Sequence, residues 1–476
     1  MTDILDVRSG RQPAVEPEAS RSRVLLISMV AALGGFLFGF DTAIINGTVG
    51  ALGSTFAAGS WAIGLTVSAA LVGSALGALL AGRLADRSGR TRSMLIASGL
   101  FTVSALGSGL AVSLWDLGLW RLVGGGAVGI ASVVAPAYIA EIAPAHLRGR
   151  LGSLQQMAIV LGIFTALLGN YAIATGAGSA ANPFWFNISA WRWMFWTELP
   201  PALAYGIGAL LIPESPRYLM LRGREEEALG VLRTIVGSTA PSRAVEIRAS
   251  VQADQQRPRF AELKGGRRFG LLPIVWVGIG LATLQQFVGI NVIFYYSSVL
   301  WQAVGFSERS SLAITVITSV VNILTTLIAI SCVDRLGRKP LLVMGSVGMA
   351  LTLGLLAWLF GTAPLDAAGR PVLQGGSGMA ALVAANLYVF FFGFSWGPVV
   401  WVLLGEMFPN RIRALAVSVA AMAQWIANFL VSATFPTLQR LGLGWAYGLY
   451  TAAAVISLFF TLRYIRETKG KELEEM

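Results

Sequence analysis

Two ionisable residues stand apart inside long apolar stretches, Asp41 and Arg121. Asp41 lies about 17 residues into the first such stretch, roughly 26 Å from its inner start, and Arg121 about 5 residues, roughly 8 Å, below the outer end at which the fourth begins. The depths agree, so the two side chains can meet. A carboxylate held in hydrocarbon costs about 2.5–3.5 kcal/mol on insertion scales, which demands either a partner or a proton. An arginine favours the charged carboxylate and burial favours the neutral acid, so the proton on Asp41 depends on whether the pair is made. That is the chemistry of a proton switch; a permanent ion pair that only orders two helices is the alternative.

The other polar residues of the apolar stretches are mostly amides: Gln156, Gln285, Gln286, Asn291, Asn322, Gln424 and Asn428. Neutral donors and acceptors suit a substrate rich in hydroxyls better than an ion or a carboxylate, and Trp401 and Trp425 add flat apolar faces. Taken singly, such residues also serve as glue between helices or as interfacial anchors. Gln285 and Asn291 are six residues apart, about 240° around a straight helix, so both can face one ligand only if the helix unwinds near Gly289.

These groups need a scaffold, and composition says which solvent it sits in. Of 476 residues, 55% are apolar and only 12% charged, half the charge of a soluble domain. The bilayer is therefore part of the solvent. About twelve windows of some 20 apolar residues, the length of a spanning helix, start near Val24, Trp61, Ser93, Leu117, Leu154, Trp191, Leu271, Ser310, Leu341, Gly378, Arg413 and Gly444. Period-2 alternation is absent, so the expected class is an all-α integral membrane protein. The net charge of +11 sits in short arginine runs between apolar windows, which by the positive-inside rule are cytoplasmic loops rather than a nucleic-acid surface. Both termini are then cytoplasmic. The expected division is a tail over 1–23, a six-helix bundle over 24–212, a cytoplasmic linker with short helices over 213–269, a second bundle over 270–465 and a tail over 466–476.

The chain repeats itself. Asp86-Arg87-Ser88-Gly89-Arg90 returns as Asp334-Arg335-Leu336-Gly337-Arg338, an offset of 334 minus 86, or 248. Glu141-x-x-Pro144-x-x-x-Arg148 returns as Glu406-x-x-Pro409-x-x-x-Arg413, an offset of 406 minus 141, or 265, and Glu214-Ser215 returns as Glu467-Thr468, an offset of 253. Three echoes at nearly one period describe two six-helix halves in the same orientation.

Gly82-Arg83-Leu84-Ala85-Asp86-Arg87-Ser88-Gly89-Arg90 resembles the signature loop of the major facilitator superfamily. Pro213-Glu214-Ser215-Pro216-Arg217, Gln285-Gln286-Phe287-Val288-Gly289-Ile290-Asn291 and Arg466-Glu467-Thr468-Lys469-Gly470 are similar to marks of its sugar porter family, closest to bacterial proton-coupled xylose and glucose porters. Two departures, Arg466 in place of a proline and Ile330 in place of the glycine matching Gly82, concern gating loops. The resemblance implies two six-helix bundles of the major facilitator fold and a sugar held by Gln156, Gln285, Gln286, Asn291, Trp401 and Gln424, with Asn322 and Trp425 as further members. It implies gating roles for Tyr295, Tyr296 and Pro398, and a cytoplasmic gate of Asp86, Arg87, Arg90, Glu141, Arg148, Glu214, Arg217, Asp334, Arg335, Arg338, Glu406 and Arg413. It also supports Asp41 and Arg121 as the proton-coupling pair.

One cysteine and one histidine, Cys332 and His146, leave no disulfide framework, thiolate cluster or histidine pair for a metal. No Gly-rich loop ending in Gly-Lys-Ser/Thr is present for a nucleotide, and no nucleophile has a base beside it. The expectation is a transporter, not an enzyme, without cofactor or metal. It imports a monosaccharide with a proton as coupling ion, works as a monomer in the inner membrane and binds no nucleic acid. A uniporter with the same sugar site is the nearest rival, and a membrane sugar sensor is a rival of another class.

Overall fold

The computed structural model describes residues 21–144, 148–253, 263, 270–365, 371–373, 375–409 and 412–467. Most of both expected tails, His146 and much of the linker after residue 253 lie outside the described residues. The helices in chain order are α1 (Arg21–Ile44), α2 (Val49–Thr55), α3 (Ser60–Ser88), α4 (Arg90–Leu110), α5 (Leu114–Ile142), α6 (Arg148–Ala177), α7 (Ala190–Trp196), α8 (Leu199–Leu211), α9 (Pro216–Leu221), α10 (Glu225–Val236), α11 (Ala240–Ala253), α12 (Pro273–Phe287), α13 (Ile290–Ala303), α14 (Glu308–Leu336), α15 (Arg338–Gly361), α16 (Gly376–Phe391), α17 (Gly397–Glu406), α18 (Arg413–Leu441) and α19 (Leu443–Tyr464).

Among the described residues, 11 stretches are long and apolar enough to cross a bilayer. The expected sixth span is present but divided: α7 ends at Trp196 and α8 begins at Leu199 with prolines in its first turn, so neither piece spans alone. Two continuous spans are also irregular. The seventh, Pro273–Ala303, breaks between α12 and α13 at Gly289, whose φ is +82°. The tenth, Gly376–Glu406, carries a π-helical segment at Phe392–Trp396 between α16 and α17. Irregular backbone at membrane depth is tolerated where it lines a cavity or is buried in protein, and π segments recur at functional sites.

Helices α1 to α8 pack mainly among themselves, with α3 on α5, α1 on α6 and α4 on α5 and α8; α12 to α19 do likewise, with α15 on α19 and α16 and α12 on α18. The two groups meet where α18 crosses α3, α14 crosses α6 and α13 reaches α1 and α2. Close crossings need small residues, and a Cβ on Gly64 would run into the Ala433 carbonyl of the other group.

At the face opposite the arginine loops the groups are fastened. Asn46 is buried just beyond α1 and donates from Nδ2 to Phe294 O at 2.9 Å, Ser297 Oγ at 2.9 Å and Ile293 O at 3.4 Å. Its Oδ1 accepts from Ser298 N at 3.2 Å and its carbonyl from Ser298 Oγ at 2.5 Å. Glu308 at the start of α14 accepts from Ser179 Oγ and Ala180 N, both at 2.8 Å. One apolar cluster crosses between the groups here, running from Phe40 and Ile44 through Leu167 and Trp191 to Tyr296, Leu300 and Phe435. Nearer the arginine loops, a separate cluster built on Ala31, Phe101, Tyr138 and Ala202 belongs to the first group.

The arginine face carries the duplicated motif as duplicated geometry. Gly89 and Gly337 adopt φ of +95° and +92° between consecutive helices. Glu214 then accepts from Arg90 N at 2.9 Å and Thr91 Oγ1 at 2.9 Å, while Glu467 accepts from Arg338 N and Lys339 N, both at 3.0 Å. Each carboxylate sits on a helix N-terminus, where free N–H groups and the helix dipole favour negative charge. A Cβ on Gly337 would lie 2.8 Å from Glu467 Oε2. Gly337→Ala therefore forces an L-residue into left-handed backbone and displaces the carboxylate. It should lower stability by roughly 1–3 kcal/mol, read as a fall in melting temperature in detergent; an unchanged melting point would refute the pairing.

Candidate functional site

Asp41 and Arg121 meet as their depths require. The guanidinium donates from Nη1 to Asp41 Oδ1 at 2.6 Å and from Nη2 to Asp41 O at 3.1 Å, and the residues are 1% and 2% exposed. Arg121 Nε has no partner. A small cavity of about 10 Å³ adjoins the pair, lined also by Thr42, Ser74, Tyr295 and Trp425, at the lower limit of space for one water. Glu198, at the divide of the sixth span, is 1% exposed, leaves Oε1 unpartnered and lies close enough to feel both charges. Sequence reasoning missed it, although the argument applied to Asp41 applies equally to a carboxylate between the apolar runs 190–196 and 199–211.

The amides form a chain. Asn291 Nδ2 donates to Gln286 Oε1 at 2.5 Å, Gln286 Nε2 to Gln285 Oε1 at 3.3 Å, and Gln424 Nε2 to the same Gln285 oxygen at 2.9 Å. Gln285 Nε2 is held by the carbonyls of Trp396 at 2.8 Å and Gly397 at 3.2 Å, in and beside the π segment. The unwinding expected near Gly289 is what brings Asn291 back beside Gln286. Gln424 Oε1 remains unpartnered. Trp396, unflagged by sequence reasoning, is buried and anchors the segment by donating to Leu342 O and Ser346 Oγ.

Other expected members lie nearby to differing degrees. Pro398 opens α17 and Trp401 is 43% exposed one turn on. Asn322 is buried on α14 against Gly393, its carbonyl taken by Thr325 and Thr326. Gln156 is half-buried on α6. Trp425 lines the Asp41 cavity, one residue after Gln424 joins the amide chain. Tyr295 also lines that cavity, and Tyr296 donates to Ser432 O at 2.8 Å. Both tyrosines are on α13 beside the Asn46 contacts.

The expected gating residues on the arginine face form two matching clusters. Arg90 donates to Glu141 Oε1 at 2.9 Å and Ala85 O at 3.0 Å; Arg338 donates to Glu406 at 2.8 and 3.1 Å and Val333 O at 3.2 Å. Ser215 donates to the second Glu141 oxygen. Asp86 lies 3.6 Å from Arg90, while Glu214 takes the N–H of Arg90 at the start of α4. The helix-end N–H groups point toward the linker side, from which Glu214 approaches. Arg87 is exposed, its carbonyl taken by Arg222. Arg217 and Arg335 each have partners, and Arg413 Nε donates to Phe408 O at 3.1 Å. The side chains of Arg148 and Asp334 lie outside the described residues.

Residues 27–476 match the family model described as sugar (and other) transporter. The chain is 62% identical over 469 residues to the glucose transport protein of Synechocystis sp., covering 98% of this chain and all of that one. It is 39% identical over 492 residues to the D-xylose-proton symporter of Escherichia coli, covering 96% and 95%. Its fold matches the partially occluded inward open conformation of the xylose transporter XylE from E. coli with a TM-score of 0.81 at 38% identity, over 95% of this chain and all of that one.

Proposed function

The chain belongs to the sugar transporter family, a multi-pass membrane transporter and not an enzyme, and we propose that it imports a monosaccharide together with a proton by alternating access. The observation that carries this is the adjacency of the two sites. Gln424 joins the amide chain and Trp425 the Asp41 cavity, while α13 bears Asn291 in the first and Tyr295 in the second. A change at either site is thus felt at the other through rigid helix, and coupling requires that sugar and proton favour the same state.

The arginine face is cytoplasmic on this reading, with both termini inside and the protein in the inner membrane. The conformation is closed outside by Asn46 and Glu308. Residues 24–212 and 270–465 act as two bundles that rock about the central site, joined by residues 213–269. Outside, a proton neutralises Asp41 and releases Arg121, beside which the Glu198 carboxyl is buried. Sugar binds Gln285, Gln286, Asn291 and Gln424, with Gln156, Asn322 and Trp401 bordering it. The outer face shuts, the clusters around Glu141 and Glu406 rearrange, and the load leaves inward.

Proteoliposomes under an imposed acid-outside pH difference test this. Concentrative uptake of a labelled hexose or pentose, collapsed by a protonophore, is expected. Equilibration without concentration would make the protein a uniporter with the same sugar site.

A further inference from the structure

The seventh span is broken between two residues that the site needs, and something must keep it broken. In an unbroken helix the Val288 carbonyl accepts from the N–H of Val292. Here Val292 N donates to Gly289 O instead, at 3.1 Å. The released Val288 carbonyl is buried and accepts from Tyr388 Oη at 2.7 Å. A buried carbonyl without a donor is costly, so the phenol stabilises the broken form against the continuous helix. On the neighbouring residue, the ring of Tyr450 lies against Gly289, where a Cβ would come within 2.7 Å of it.

Tyr388 is fully buried on α16, in the same span that offers the Trp396 and Gly397 carbonyls, in and beside its π segment, to Gln285. The tenth span therefore holds the seventh on both sides of its break. Before the break it fixes the side chain of Gln285; at the break it fixes the backbone of Val288. Only with both held do Gln285, Gln286 and Asn291 converge.

We propose that Tyr388 is a positioning residue for the sugar: its hydroxyl keeps the seventh span unwound so that the amides on either side face one ligand. The inference rests on the reading of the amide chain as the sugar site. Tyr388→Phe keeps the ring and removes only the donor. In proteoliposomes, the half-saturation concentration for labelled sugar exchange should rise roughly tenfold, with the maximal rate changed by less than about twofold. A packing role for the ring alone would leave both constants unmoved. Replacing Tyr388 by 4-aminophenylalanine, which restores a donor, should recover the wild-type half-saturation value.

Gly289→Ala strikes the same break from the seventh span and should raise the half-saturation concentration in the same direction. It carries the test if the Tyr388 variant does not reach the membrane. An unchanged half-saturation value in either variant overturns the proposal. Gln286→Ala, measured alongside, separates the failures: if it too leaves sugar affinity unchanged, the sugar site itself is misplaced, whereas a loss there with none in Tyr388→Phe refutes the positioning role alone.

Discussion

Asp41→Asn is expected to abolish uphill sugar uptake while leaving exchange of sugar across proteoliposomes within a few-fold of wild type. The asparagine cannot take or release a proton, so it mimics the neutral acid at every pH and removes the step that ties the gradient to the cycle. Under an imposed acid-outside difference the accumulation ratio should fall to about one, a loss limited only by how steep the wild-type ratio is. Losing one member of a buried pair typically costs about 3–5 kcal/mol, because the remaining charge is left unpaired. Here Glu198 is buried nearby with a free oxygen, so the single variant should still fold and exchange. Asp41→Asn with Glu198→Gln strands Arg121 without any carboxylate and should melt well below either single variant. Unchanged accumulation in Asp41→Asn would refute its assignment as the coupling residue.

Gln286→Ala is expected to weaken sugar binding by about 1–3 kcal/mol, or roughly 5- to 150-fold in half-saturation concentration. Gln286 is the link between Asn291 and Gln285, so its removal loses a ligand group and frees Asn291 as well. The effect should be smaller for a sugar analogue that lacks the hydroxyl bound there, since that contact is already missing. Equilibrium binding of labelled sugar to the purified protein measures it. Equal affinity in wild type and variant would place the pocket elsewhere.

Much of this architecture was legible in the residues. Spans declare themselves because hydrocarbon forces long apolar windows, and Asp41 with Arg121 because charge at depth needs an explanation. The need for unwinding near Gly289 followed from the 240° between Gln285 and Asn291. The repeat offsets picked out Glu141 and Glu406, and Glu214 and Glu467, without showing that the first two meet Arg90 and Arg338 or that the other two sit on helix ends. Glu198 was passed over because it lies beside prolines in a span read as continuous, and only the divide at 197–198 makes it stand out. Asn46 and Trp396 were invisible for another reason. Their importance comes from backbone carbonyls of distant spans, Phe294 and Leu342, and no side-chain pattern encodes where a carbonyl will point.

The amide chain has a further consequence for the driving force. Gln285, Gln286, Asn291 and Gln424 bring no charge to the cargo, so on the proposed cycle the single positive charge crossing with each sugar is the proton. Import is then electrogenic. A membrane potential of 100 mV, negative inside, adds about 2.3 kcal/mol per elementary charge, equivalent to roughly 50-fold in concentration ratio. A cell could therefore fill itself with sugar on voltage alone, with no difference in acidity between its two sides.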